Sequence, residues 1–311
     1  MNSSDRLIRP LVGTALVLCF VVVVLGAYVR LSAAGLGCPD WPGCYGHLSP
    51  AGVKDPATGA IMEVGKAWRE MIHRYAAGTL TALIGIIAAL AIQNRRRPVI
   101  PVPFALGLLG LVIAQALLGM LTVTWQLNPW IVTGHLLCGL ATLSLLWWQT
   151  LTLTRRRTRL WRMATPFLGS SLPRTRLLAL LALCAVAVQI ALGGWTSSHY
   201  AATACPDFPR CQGEWLPPLH GNVAIHLLHR IGALLTCGML VAATARVMRI
   251  RNDQLARQAA LAVLTALGLQ LTLGVLMVVR GFPLGVATAH NAGAALLLLA
   301  TLALNHSLRP A

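Results

Sequence analysis

The chain has 311 residues, of which 57% are hydrophobic and 11% charged, and its mean hydropathy is +0.70. That is more apolar and less charged than a soluble globular domain, which excludes the soluble classes and predicts an integral membrane protein. The net charge of +17 would suit a nucleic-acid partner, but the placement of the arginines described below assigns it to membrane orientation instead.

Apolar stretches of about 20 residues, enough to cross the hydrocarbon core as helices, lie near 11–30, 70–92, 101–124, 131–153, 177–196, 222–245, 257–279 and 284–305. The expected fold class is therefore an all-α integral membrane protein with eight transmembrane helices. The first apolar run, Leu11 to Val29, is too long for a signal-peptide core and no small-residue cleavage site follows it, so it is expected to stay as helix one. It carries Leu25-Gly26. A long loop, 31–69, follows and holds Cys38 and Cys44 in the motif CPDWPGC. The second span opens with Glu70-Met71-Ile72-His73-Arg74. The third carries Gln115 and Leu118-Gly119, and after a short turn near 125–130 the fourth carries His135.

An Arg-rich stretch, 154–176, leads to the fifth span with Gln189 and Leu192-Gly193. A second long loop, 197–221, holds Cys205 and Cys211 in CPDFPRC. The sixth span carries His226, His229 and Arg230; the seventh carries Gln270 and Leu273-Gly274; a turn near 280–283 leads to the eighth with His290. Each odd span thus brings a Leu-Gly pair, and each even span answers with a histidine.

The arginines lie in alternate loops: Arg95-Arg96-Arg97, then Arg155-Arg156-Arg157 with Arg159 and Arg162, then Arg246, Arg249, Arg251 and Arg257. Arg6 and Arg9 fall on the same side, whereas six of the eight acidic residues (Asp40, Asp55, Glu63, Glu70, Asp207, Glu214) fall on the other. By the positive-inside rule both termini are cytoplasmic and the cysteine-bearing loops face outward.

Outer connections alternate long and short twice, which divides the chain into two four-helix halves and predicts a duplication. The expected organisation is an N-terminal bundle, 1–153, a cytoplasmic Arg-rich linker, 154–176, and a C-terminal bundle, 177–311, the two being pseudo-symmetric. The short hairpins superpose without a gap, since Gly119 to His135 and Gly274 to His290 both span sixteen positions. The long hairpins align EMIHRYAAG with HLLHRIGAL, pairing Glu70 with His226 and His73-Arg74 with His229-Arg230. Gln-x-x-x-Gly recurs at Gln115, Gln189 and Gln270; the first span has Val22 there.

An imidazole inside lipid is costly without a partner. Taken singly, each histidine has a packing role as its alternative, but four in one register predict two paired ligand sites. Two imidazoles from facing helices of a bundle bind a haem iron axially. Arg74 and Arg230 follow as propionate contacts. Zinc fits less well, because it usually takes three or four converging ligands. Glu70 breaks the symmetry and has two readings: a proton-transfer or charge-stabilising group, or an interfacial carboxylate paired with Arg69 or Arg74. The repeated Cys-x5-Cys spacing on the oxidising side predicts two disulfides, Cys38 with Cys44 and Cys205 with Cys211, as loop staples or as a redox relay. Cys19, Cys138, Cys184 and Cys237 read as core residues. His47, His199 and His220 belong to outer loops, His226 to the surroundings of His229, and His306 to solvent at the cytoplasmic end.

With Glu70-x-x-His73-Arg74, one histidine in each of helices four, six and eight, and a cysteine pair in each long outer loop, the chain resembles the heme A synthases over essentially its whole length. The resemblance implies oxidation of the C8 methyl of heme O to a formyl group through hydroxylated intermediates, with heme A supplied to cytochrome oxidase. It implies that His73 and His135 hold the substrate haem, that His229 and His290 hold a resident heme B, and that Glu70 is catalytic. The partners implied are heme O synthase, cytochrome oxidase assembly factors and an electron donor, in a bacterial-type inner or cell membrane. The main alternative is a two-haem, quinol-linked electron carrier of the cytochrome b type. A quinone-linked thiol-disulfide oxidoreductase would make the outer cysteines essential and the histidines dispensable. A transporter finds little support without Gly/Pro-broken helix pairs.

Overall fold

In a computed structural model, the structure describes residues 3–51, 64–96, 99–159, 172–250 and 253–309. Among these are eight long helices: α1 Ser3–Leu31, α2 Val64–Gln93, α3 Val102–Thr124, α4 Pro129–Arg159, α5 Leu172–Ser198, α6 Gly221–Ile250, α7 Gln254–Val279 and α8 Leu284–Ser307. All eight are long and apolar enough to cross a membrane. One 3-10 turn, Ala201–Ala204, lies in the second long loop. Arg97, Arg162 and Arg251, and the loop residues Asp55 and Glu63, lie outside the described residues.

The helices outrun the apolar stretches. α2 begins at Val64, which puts Glu70 and His73 in its second and third turns. α4 continues to Arg159 and α5 begins at Leu172, so helix occupies both ends of the Arg-rich stretch, and residues 160–171 lie outside the described set. Hydropathy ends where the lipid ends, but a helix continues for as long as its residues favour it. Arg is a good helix former, and basic residues suit a helix C-terminus.

The chain divides into two compact units, Met1–Thr150 and Leu151–Ala311. In the second, α5 packs on α6, α6 on α7, α7 on α8, and α8 returns to α5, closing a ring of four helices. In the first, α2 packs between α1 and α3, while Gln115 of α3 and Val23 of α1 both approach Gly139 of α4. Aliphatic side chains such as Val17, Leu106, Ile113, Leu177 and Val188 stand on the outer surface, where a soluble protein would carry charge and a membrane protein meets acyl chains.

The second unit also fastens its helix ends on the Arg-rich side. Arg155 donates to the carbonyls of His306 and Arg309, and Arg176 Nε donates to Leu308 O at 2.6 Å. These cations satisfy carbonyls that α8 leaves without intrahelical partners. His306, expected in solvent, is instead buried at 7% exposure, with Nε2 3.2 Å from Thr152 Oγ1. Thr152, near the end of α4, meets its ring, and Arg155 meets its carbonyl.

Candidate functional site

Each of the four histidines lies with its ring edge against the glycine of the preceding helix. A Cβ placed on Gly26 would come 2.9 Å from His73 Cε1; on Gly119, 3.2 Å from His135 Cε1; on Gly193, 3.1 Å from His229 Cε1; on Gly274, 3.1 Å from His290 Cε1. At Gly26 a Cβ would force the ring to move and at the other three it would crowd the ring, which gives the glycine half of each Leu-Gly pair its physical reason. The rings are only partly buried, so each has a packed edge and an open one.

Hydrogen bonds orient the rings. His73 bonds to the backbone carbonyl of Val22, His135 to that of Gln115 and His290 to that of Gln270, in each case four residues before the glycine. Glutamine amides add a second hold. Gln115 Nε2 donates to the carbonyl of His135 at 2.8 Å and Gln189 Nε2 to that of His229 at 2.9 Å. The same amide nitrogens approach the ring nitrogens at 3.5 Å for His135, 3.0 Å for His229 and, from Gln270, 3.2 Å for His290.

Within the first unit His73 and His135 are close enough to interact electrostatically, as are His229 and His290 within the second. The Nδ1 atoms of His73, His135 and His290 are buried with no hydrogen-bond partner. A buried polar atom without a partner costs roughly 1–3 kcal/mol, so something outside the chain is expected to meet it. The donor set fits haem: paired imidazoles amid apolar helices, three of the four with a ring nitrogen that has no partner in the chain. Among the described residues no three His, Cys, Asp or Glu side chains converge, whereas a zinc site usually takes at least three.

Glu70 and Arg74 tie the first cysteine loop to α2. Glu70 is buried at 4% exposure; its Oε1 pairs with Arg74 Nη2 at 2.5 Å and its Oε2 accepts the Cys38 N–H at 2.9 Å. Of the two arginines considered as its partner, Arg74 is the one it meets, and Arg69 Nε donates to Gly65 O instead. Arg74 Nη1 also donates to the carbonyls of Asp40 and Gly43 at 2.8 and 2.5 Å, with Pro42 O at 3.3 Å. In the second unit Arg230 donates to the carbonyls of Cys205, Asp207 and Arg210 at 3.2, 2.8 and 2.8 Å. Both arginines therefore grip their own loop. His226, at the place of Glu70, is buried and its Nδ1 lies 3.2 Å from Ala201 O.

The loops themselves are small knots. Cys38 is bonded to Cys44 and Cys205 to Cys211, with Cα–Cα distances of 4.8 and 4.6 Å. Isolated bridges Cys44–His47 and Cys211–Glu214 enclose two-residue turns at Tyr45-Gly46, φ +54° and +78°, and Gln212-Gly213, φ +56° and +81°. Two positive φ values in succession favour glycine in the second place. Asp40 accepts the N–H groups of Tyr45 and Gly46 at 2.6 and 2.7 Å, and Asp207 those of Gln212 and Gly213 at 2.7 and 2.9 Å. Partial burial pulls the Asp40 carboxyl upward, but those N–H groups and Arg74 hold it below its ordinary value. Asp207 is held low mainly by the Gly213 N–H. Neither aspartate stood out as functional in the sequence, although the shared Cys-Pro-Asp of both motifs was the signal. His199, in the second loop, stacks on Trp195 at 4.2 Å and is not drawn to the histidine pair.

Fold and site together define a helical membrane protein in which four imidazoles are each set against a glycine of the preceding helix. Residues 9–302 match the model of COX15-CtaA, described as cytochrome oxidase assembly protein, and the chain belongs to that family. Among its relatives, the heme A synthase of Shewanella oneidensis is 39% identical over 328 aligned positions, covering 96% of both chains. The heme A synthase of Rhizorhabdus wittichii is 28% identical over 332 positions, covering 94% of this chain and 91% of the relative. That of Halalkalibacterium halodurans is 28% identical over 248 positions, covering 78% and 76%.

Proposed function

We propose that this chain is a heme A synthase, an integral membrane oxidoreductase that converts heme O to heme A by oxidising the C8 methyl to a formyl group through hydroxylated products. Heme A then serves cytochrome oxidase, which accords with the description of the family. The observation that carries the reading is the repeated imidazole set against glycine, with a buried ring nitrogen of His73, His135 and His290 that the chain does not satisfy.

In this reading His73 and His135 hold heme O in the first unit, and His229 and His290 hold heme B in the second. Heme B supplies one-electron redox chemistry when bound. The chain supplies positioning. The hydrogen bonds from the rings to the carbonyls of Val22 and Gln115 keep the remaining ring nitrogens free for the substrate iron. Glu70 is the added carboxylate of the unit assigned the chemistry. Anchored through Oε1 on Arg74, its carboxylate is placed to stabilise positive charge developing at the methyl carbon of the substrate. Arg74 and Arg230 meet propionates only alongside the loop carbonyls they already hold. The membrane is a bacterial-type cell membrane with both termini cytoplasmic, and heme O synthase, oxidase assembly factors and an electron donor are the partners.

The test is to express the chain with a source of heme O, purify it, and identify the extracted haems by chromatography and mass. Heme A or its hydroxylated precursor is the expected product. Heme B alone, reversibly reducible and unaltered by heme O, would replace this reading with the electron carrier.

A further inference from the structure

Three of the four histidine contacts share a feature that the fourth lacks. Gln115, Gln189 and Gln270 stand one turn before the cradling glycine and place a side-chain amide within hydrogen-bond reach of the ring of His135, His229 and His290. At the same place before Gly26 is Val22, which offers His73 its backbone carbonyl alone.

The histidine helices are matched to this difference. Three or four residues past His135, His229 and His290 stand Gly139, Gly232 and Gly293. A Cβ on Gly139 would come 3.0 Å from Gln115 Nε2, and Cβ atoms on Gly232 and Gly293 would meet Gln189 Oε1 and Gln270 Oε1. Those glycines are the space the amides occupy. Past His73 the same two positions are Ala76 and Ala77, so the first hairpin has neither the amide nor the gap for one. Each of the three amides also keeps a buried Oε1 with no partner. In Gln115 and Gln189 the Nε2 also donates to the backbone carbonyl of the histidine, at 2.8 and 2.9 Å, which fixes which end of the amide faces the ring.

An amide held against a ligating imidazole fixes the ring's orientation; losing such a partner typically weakens binding roughly 10- to 100-fold. We propose that Gln115, Gln189 and Gln270 are positioning residues that lock three of the four iron ligands, and that His73, facing Val22, is left as the exchangeable ligand through which the first unit loads and releases its haem. This rests on the haem-ligand reading above and deepens it. A resident cofactor needs two locked ligands, as His229 and His290 have. A substrate that must leave needs one ligand that opens, and His135 stays locked to keep the haem in register while His73 lets go.

The experiment uses the purified full chain with its haems bound. Haem transfer to excess apomyoglobin is followed in time by the haem type that arrives, and low-spin absorption reports axial ligation. Wild type is expected to release heme O or heme A fast and heme B slowly. Val22→Gln with Ala77→Gly is expected to slow only the fast phase, by roughly tenfold or more, and Gln189→Leu to accelerate only the slow one by roughly 10- to 100-fold. Gln189→Asn serves as the milder variant should Gln189→Leu fail to assemble. Equal release rates for both haems in wild type would overturn the proposal, as would variants that load fully and release at wild-type rates. Failure of the underlying reading looks different: His73→Ala and His229→Ala proteins would then keep two low-spin haems.

Discussion

The contact between histidine and glycine depends on a few tenths of an ångström. Because a Cβ on Gly26 would come 2.9 Å from His73 Cε1, Gly26→Ala must push the ring outward, and overpacking of this kind costs about 1–3 kcal/mol. We expect Gly26→Ala to lose low-spin absorption from the first unit while heme B in the second keeps its spectrum; an unchanged spectrum would remove the cradle from the account. Glu70 makes a separate prediction. Glu70→Gln keeps an acceptor for the Cys38 N–H but loses the charge paired with Arg74, so the variant should assemble, make heme A slowly and accumulate hydroxylated haem. Normal turnover without that accumulation would end its assigned role. Much of this scale was legible in the chain, because a Leu-Gly pair and a histidine on adjacent helices meet at a register that spacing alone reveals. Which arginine Glu70 would choose was not legible: Arg69 and Arg74 sit on one helix, and only the path of the loop from Cys38 to Cys44 separates them.

At the scale of elements, each cysteine loop is a knot gripped by the arginine that follows a histidine. The four bonded cysteines are at most 1% exposed, which shields the sulfurs from exchange with external thiols and favours the staple over the relay. Replacing Cys38 and Cys44 together by Ala should therefore leave heme A formation intact and lower stability by about 2 kcal/mol, read as a fall in thermal midpoint; lost turnover with unchanged stability would restore the relay. Asp40 gives the knot a pH dependence. Its folded value lies below the ordinary 3.8, so its contribution is fully present above that ordinary value and is lost as pH falls through the lower folded one. The protection factors of the Tyr45 and Gly46 amides, which allow for the intrinsic slowing of exchange in acid, should hence stay high at neutral pH and fall only in acid, whereas Asp40→Asn should lower them at every pH. The Cys-x5-Cys spacing made the disulfides readable. The turn at Tyr45-Gly46 was not, because its signal is a single glycine whose left-handed conformation depends on the Asp40 carboxylate beneath it.

For the whole molecule, hydropathy located all eight spans but misplaced their ends, since it reports where lipid stops and not where helix stops. That is why Glu70, the first residue of the second apolar stretch, lies inside α2; His306, expected in water, is covered near the end of α4. The proposed sidedness rests on the arginines and predicts that cytoplasm-active reporters work when fused after Arg96 and outside-active reporters when fused at Gln126; the reverse pattern would invert the topology. The division of labour between the two units is most directly tested by the haem content of single-histidine variants purified from cells that make heme O. The account predicts that His73→Ala retains heme B but yields no heme A, while His229→Ala loses heme B and binds heme O without converting it. Heme A formation in His73→Ala, or heme B retained unchanged in His229→Ala, would contradict it.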